Sequence, residues 1–285
     1  MDGISVIVPA YNESRGIVEV LGQVRAAMEG IEHELLVVDD GSTDDTASLA
    51  AGVEGVRVLS HGENLGYGAA LKTGMRRAKY HSVMIIDADA TYPEGAIPEL
   101  VRRSEEAEMV VGARTLRPEG EPALRRIVKR IIVWLANRLA ETNIPDLNSG
   151  LRIFKTALGL KYIHLLPSGF SFTSTITLVF LSEGYRVEYT PIEYRKRKGW
   201  SKFRPLRDTL NMVILILRTL VYFNPLRVFV PLSLFLVALA FAVLGLSIAI
   251  EGRAWDITII AILAAAIQVF GIGLIADLIG KRYKL

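Results

Sequence analysis

The chain has 285 residues, of which 51% are apolar and 22% charged, and its net charge at pH 7 is +3. It contains no cysteine, which excludes a disulfide framework and thiolate metal sites. The net charge is too small to specify a polyanionic partner, so charge must be read locally.

The first segment, 4–8, is a β-branched run that reads as a strand. What precedes it is too short for the apolar region of a signal peptide, so no export signal is expected. Further strands are predicted at 34–38, 56–59, 83–86 and 109–111. Helices are predicted at 17–28, 44–51, 68–78 and 96–105, with Ser42 or Asp44 as N-cap of the second. This βαβα rhythm predicts a mostly parallel sheet with helices on both faces. Ligands of such sheets bind beyond the carboxyl ends of the strands. The unusual polar residues fall there: Pro9 to Glu13 after the first strand, Asp39 to Ser42 after the second, Asp87 to Asp89 after the fourth. Each group alone reads equally well as a turn or a cap; their coincidence at one rim does not.

Beyond residue 194 the character changes. Seven of the thirteen residues in 195–207 are basic and none is acidic: Arg195, Lys196, Arg197, Lys198, Lys202, Arg204 and Arg207. The segment 205–223 reads as an apolar helix with a charged start, expected along a membrane interface. Segments 228–250 and 257–276 contain no charged residue. At about 1.5 Å per residue each is long enough for a hydrocarbon core of about 30 Å. Arg218 and Arg227 flank one end and Lys281, Arg282 and Lys284 the other, against one basic residue in the loop 251–256. The positive-inside rule then puts both termini and the N-terminal domain in the cytoplasm. The expected organisation is a catalytic domain over 1–202, juxtamembrane helices over 203–225 and a two-helix transmembrane hairpin over 226–285. The expected location is a prokaryotic plasma membrane.

Asp87 and Asp89 are the central chemical feature. Two carboxylates so close raise one another's pKa unless a cation compensates. Mg²⁺ or Mn²⁺ suits them, because such an ion takes one or two protein carboxylates and fills its remaining positions with phosphates and water. No GxxxxGK[ST] sequence is present, so a P-loop nucleotidase is not supported. The Gly-rich stretch Asn64 to Gly68 is weak evidence by itself.

The ordered set PAYNE (9–13), VVDDGSTDDT (37–46), NLGYGAALKTG (64–74), DADATYPE (87–94), GAR (112–114) and DLNSGLRIF (146–154) resembles family 2 glycosyltransferases. The branch it is most similar to comprises dolichyl-phosphate mannose synthases and polyprenyl-phosphate glucosyltransferases. The resemblance implies a GT-A fold, a Rossmann-like α/β sheet. It implies that Pro9, Tyr11, Glu13, Val37 and Asp39 hold the base and ribose of a nucleotide-sugar, with Asp87 and Ala88 also at the nucleotide. Asp87, Asp89 and Thr91 would be the metal ligands, although many relatives carry glutamine where this chain has Thr91. GWSK (199–202) resembles a loop that closes over the donor phosphates, which makes Lys202 a catalytic candidate beside Asp89 and Arg114. Its usual arginine partner falls at Lys196, flanked by Arg195 and Arg197. Arg114, Arg125 (with Arg126) and Lys129 resemble acceptor-phosphate ligands, Lys129 standing where relatives have serine. The QxxRW sequence of processive synthases is absent around Trp134, Trp200 and Trp255, which favours single addition.

A phosphate acceptor is already anionic and needs no general base; it needs cations to offset the repulsion between acceptor and donor diphosphate. The basic residues supply that. The expected activity is inverting transfer of one hexose, GDP-mannose favoured, to a dolichyl or undecaprenyl phosphate. UDP-glucose as donor, a lipid hydroxyl as acceptor with a catalytic carboxylate in 146–150, and a non-catalytic sugar-nucleotide sensor are the alternatives. The expected partners are the nucleotide-sugar, the lipid phosphate and the membrane; a nucleic acid is not among them. Gly245, Gly271 and Gly273 would permit close packing into a homo-oligomer through the membrane helices.

Overall fold

The computed structural model describes residues 3–114, 144–193, 214, 217–218, 221–253 and 255–282. Two compact units are present, Met1–Val213 and Ile214–Leu285.

In the first unit the alternating apolar runs become strands as expected: β1 (Ile4–Ala10), β2 (His33–Asp39), β3 (Val56–Ser60), β4 (Ser82–Ile85) and β5 (Met109–Arg114). They are separated by α1 (Ile17–Ala27), α2 (Thr46–Ala51), α3 (Tyr67–Arg77) and α4 (Ile97–Arg103). Residues 144–193 add β6 (Arg152–Lys155), α5 (Thr156–Lys161), α6 (Phe172–Ser182) and β7 (Val187–Ile192), which the sequence reading left unplaced.

One seven-stranded sheet results, in the order β3-β2-β1-β4-β6-β5-β7. All neighbours are parallel except β6, which runs antiparallel to both β4 and β5. The period-2 pattern sorts side chains onto two faces. Val6, Val8, Leu35, Val37 and Met84 pack with α1, α2 and α4. Ile7, Leu36, Val38, Val83 and Ile85 pack with α3, α5 and α6. Helices therefore cover both faces.

Pro9 lies in a central strand without breaking it. The ladder from β1 to β4 ends at Ile7 opposite Ile85, and Ile86 N–H then closes on Ile7 O at 3.2 Å. Pro9 stands one step beyond, on the side where no β4 acceptor remains for an N–H.

The second unit contains α7 (Leu226–Glu251) and α8 (Asp256–Arg282). Both are long and apolar enough to cross a membrane, with mean hydropathy 2.6. Gly252, at φ +69°, ends α7 with its N–H on Ile248 O at 2.9 Å, a left-handed cap suited to glycine. The hairpin is stitched by Ser233 Oγ donating to Ala266 O at 3.0 Å. A Cβ on Gly273 would stand 2.5 Å from Phe229 Cβ, so Gly273 serves packing inside the hairpin. Gly245 and Gly271 have open space around them.

Candidate functional site

At the carboxyl ends of β1 and β2, backbone N–H groups meet carboxylates. Asn12 N–H donates to Ser42 Oγ at 2.9 Å, and Thr43 N–H to Asn12 Oδ1 at 2.8 Å. Asn12 adopts φ +56° to do this, a conformation Asn tolerates better than most residues. Glu13 N–H donates to Thr46 Oγ1 at 2.9 Å. Asp44 Oδ1 accepts from Thr46 N–H at 3.1 Å and Asp44 Oδ2 from Ser14 N–H at 3.3 Å. Burial by itself would raise the Asp44 pKa; these hydrogen bonds outweigh it and hold it below its ordinary value. Asp44 thus holds the turn that leads into α2 rather than capping it: the helix begins at Thr46, and its N-cap is Asp45, with no side-chain cap hydrogen bond.

Asp40, which is buried, ties down the following loop. It accepts from Leu65 N–H (3.0 Å) and Gly66 N–H (2.8 Å) and contacts His61 Nδ1 at 2.7 Å. His61 Nε2 reaches Thr73 Oγ1 at 2.9 Å. Gly66 sits at φ +103°, and a Cβ on Gly68 would lie 2.2 Å from Pro167 O, so the start of α3 nests against residues 167–169. That nesting delivers Tyr67 to the site.

Tyr67 O–H donates to Asp87 Oδ1 at 2.8 Å. It is the only hydrogen bond on the Asp87 carboxylate among the described residues. On the other side a Cβ at Gly150 would come within 2.2 Å of Asp87 Oδ2, so only glycine leaves the carboxylate its place. Gly150 N–H donates to Tyr92 Oη at 2.6 Å. Desolvation, with the Asp89 charge adding to it, raises Asp87 to about 6. Arg114 and Arg152 act the other way at longer range. Asp89 Oδ1 accepts from Thr91 Oγ1 at 2.5 Å and from Thr91 N–H at 3.2 Å, with Ala90 between them at φ +56°.

Arg114 ends β5 and is forked onto Asp146: Nε to Oδ2 at 2.6 Å and Nη2 to Oδ1 at 2.8 Å. Beneath lies Arg152, a guanidinium with no solvent exposure. Its partners are neutral oxygens: Ser149 O, Thr173 O and Thr177 Oγ1, the last two at 2.8 Å. A buried cation without a carboxylate in contact is costly; desolvation lowers the Arg152 pKa, and the Asp146 charge opposes that only in part.

The structure thus brings Asp87, Asp89, Thr91 and Arg114 to one rim, with Pro9, Tyr11, Glu13 and Asp39 at the neighbouring strand ends. Asp39 is buried, its carboxylate accepting long hydrogen bonds of 3.3 and 3.4 Å from Ser42 N–H. Val37 stands two residues before the end of β2. It is fully enclosed in the core beside Val8 and Val58, so its side chain packs the sheet. Ala88 is likewise buried. Arg125, Lys129, Lys196, Arg197 and Lys202 lie outside the described residues. Tyr67, Tyr92, Gly150 and Arg152 were missed as individuals, although all four sit in segments already singled out. Their roles depend on contacts between distant segments.

The fit to a divalent cation rests on Asp87 and Asp89, two hard oxygen donors a residue apart, the first with a single hydrogen bond from Tyr67 among the described residues. Among the described residues no group of three or more His, Cys, Asp or Glu forms a protein-only cage. An ion here would therefore rely on donor phosphates for part of its shell.

The chain matches Glycosyl transferase family 2 over residues 5–164 and the GtrB C-terminal hairpin over residues 224–281. It is 30% identical to the undecaprenyl-phosphate 4-deoxy-4-formamido-L-arabinose transferase of Edwardsiella ictaluri, covering 99% of this chain and 90% of the relative. The protein of that description from Pseudomonas fluorescens is 28% identical, with 99% and 85% covered. Among solved structures, glucosyl-3-phosphoglycerate synthase of Mycobacterium tuberculosis with phosphoglyceric acid superposes at a TM-score of 0.62 and 23% identity, covering 77% of this chain and 80% of that one. Its complex with Mn²⁺, UDP and phosphoglyceric acid gives 0.62 at 22% identity, over 76% and 78%. At that identity the likeness establishes the fold, a GT-A-like mixed sheet.

Proposed function

The chain belongs to glycosyltransferase family 2, and on that premise we propose that it transfers one sugar from a nucleotide-sugar to a polyprenyl phosphate at a membrane. The acceptor class follows the two transferases named above, which act on undecaprenyl phosphate by their descriptions. GDP-mannose is the donor favoured from sequence and UDP-glucose its alternative; those relatives carry a different sugar, so a donor panel decides.

The observation that carries the reading is the division of labour among carboxylates at the rim. Among the described residues Asp87 receives one tyrosine hydroxyl and no backbone N–H, whereas Asp146 is engaged by the Arg114 fork. Burial by itself would raise the Asp146 pKa, but the Arg114 hydrogen bonds outweigh it and hold it below its ordinary value, which makes it a poor base. A lipid hydroxyl would need such a base; a phosphate would not. In the proposed reaction an acceptor phosphate oxygen attacks the anomeric carbon. The bond from that carbon to the donor diphosphate breaks, and the electron pair leaves with the nucleoside diphosphate, so no proton has to move. A divalent cation held by Asp87 and Asp89 would neutralise the diphosphate. Tyr11, Glu13 and Asp39 would seat the nucleoside. Lys202, with Lys196 or Arg197, would cover the diphosphate. Arg114, with Arg125 and Lys129, would bind the acceptor phosphate.

The proposed organisation is a catalytic domain over 1–202, juxtamembrane helices over 203–225 and a spanning hairpin over 226–285, with both termini cytoplasmic. The test is transfer of radiolabelled sugar into an organic-extractable product with undecaprenyl phosphate, across donors, with and without Mg²⁺ or Mn²⁺. Metal-dependent label with one donor, absent in Asp89→Ala, is expected. Nucleotide binding without lipid labelling would reject the acceptor and favour the sensor or lipid-hydroxyl alternative.

A further inference from the structure

The Asp146 carboxylate collects four N–H donors. Oδ2 accepts from Arg114 Nε at 2.6 Å and from the Arg114 backbone N–H at 3.1 Å. Oδ1 accepts from Arg114 Nη2 at 2.8 Å and from Asn148 N–H at 3.1 Å. The turn that carries Asp146 is held independently of Arg114. Ser149 Oγ donates to Gly112 O at 2.5 Å, and Asn148 Oδ1 accepts from Ser174 Oγ of α6. The carboxylate is therefore a fixed reference point, and the guanidinium is what it orients.

A guanidinium is a planar fork with two edges. Asp146 takes the side edge, Nε with Nη2, which sets the plane of the group and the direction in which its outer end points. Arg114 closes the carboxyl end of β5, which runs in the same direction as β1 and β4, so the clamped guanidinium belongs to the catalytic rim. An unclamped arginine side chain would have to give up rotamer freedom each time it met a phosphate.

We propose that Asp146 is a positioning residue: it clamps Arg114 side-on so that the outer edge of the guanidinium addresses the acceptor phosphate. It takes no proton in the reaction. This rests on the reading given under the proposed function, and it deepens that reading by assigning a role to the one rim carboxylate that would otherwise be the candidate base.

The experiment uses the full chain with undecaprenyl phosphate and the donor found active. Asp146→Asn, Arg114→Lys and the double variant are compared for both KM values, kcat, pH–rate profile and Tm. Asp146→Asn is expected to raise the acceptor KM about tenfold while retaining turnover, the donor KM and both limbs of the profile. Arg114→Lys keeps Asp146 and the charge but loses the fork, and is expected to show the same acceptor-specific loss. The double variant should be no worse than Arg114→Lys alone, because the clamp then has nothing to hold. Turnover at background in Asp146→Asn with normal folding, or loss of the acidic limb, would overturn the proposal and make Asp146 a base. Unchanged KM values in both single variants would also overturn it, while wild-type transfer to the lipid phosphate left the functional reading standing. Failure of the wild type itself on that acceptor would remove the functional reading and this inference with it.

Discussion

The two halves of the rim treat their carboxylates in opposite ways. At the ends of β1 and β2, Asp40 and Asp44 are each met by two backbone N–H groups, so the chain itself compensates their charge. At the end of β4, Asp87 meets one tyrosine hydroxyl and the bare face of Gly150. The first half is scaffold, completed by folding. The second keeps a surplus of negative charge that a cation would complete. Residue type does not separate the two; the count of N–H donors does.

The largest effect should come from closing the gap at Gly150. In Gly150→Ala the new methyl would displace the Asp87 carboxylate, and misplacement on the scale of 1 Å costs about 100-fold in turnover. Steady-state kinetics at saturating metal check this; wild-type rates would mean that Asp87 has room to spare. Tyr67→Phe removes the one hydrogen bond on Asp87 and should weaken Mn²⁺ binding about tenfold, measured by titration calorimetry. Asp40→Asn should do the reverse. It should lower stability by about 2 kcal/mol in urea unfolding, through the Leu65 and Gly66 N–H groups and His61, and leave Mn²⁺ affinity alone.

A pH experiment sharpens the same contrast. The folded-state pKa of Asp87, about 6, lies above its ordinary 3.8. Its ionisation therefore opposes folding, and the penalty grows as pH rises from about 4 to about 6. The full penalty is about 3 kcal/mol. The metal-free protein should lose that stability between pH 4 and 7, with other groups superimposed, and Mn²⁺ should raise Tm more at pH 7 than at pH 5. Asp87→Asn should flatten both trends. The smallest effect is expected at Phe170, which is 75% exposed and stacks on Tyr67 with ring centroids 5.7 Å apart. Phe170→Ala should change stability by about 0.5 kcal/mol.

Strands β1 to β5 were legible because they are runs rich in β-branched residues bounded by turn residues, and the motifs at their ends are local. β6 was not, because Arg152–Lys155 begins and ends on a basic residue and its place between β4 and β5 comes from long-range pairing. Val37 and Asp39 share one face of β2, but Val37 lies inside the strand and packs in the core, whereas Asp39 ends the strand at the rim. The carboxylates of the site were visible in the sequence. Tyr67 and Gly150 were not, because their parts are set by contacts from segments far along the chain.

Mn²⁺ binding to metal-free protein, with UDP or GDP present, compares the two halves most directly. Asp87→Asn and Asp89→Asn should abolish binding, while Asp40→Asn and Asp44→Asn, once shown to be folded, should bind as the wild type does. Equal loss in all four variants, or retention in the first two, would contradict the assignment of the cation site to the end of β4.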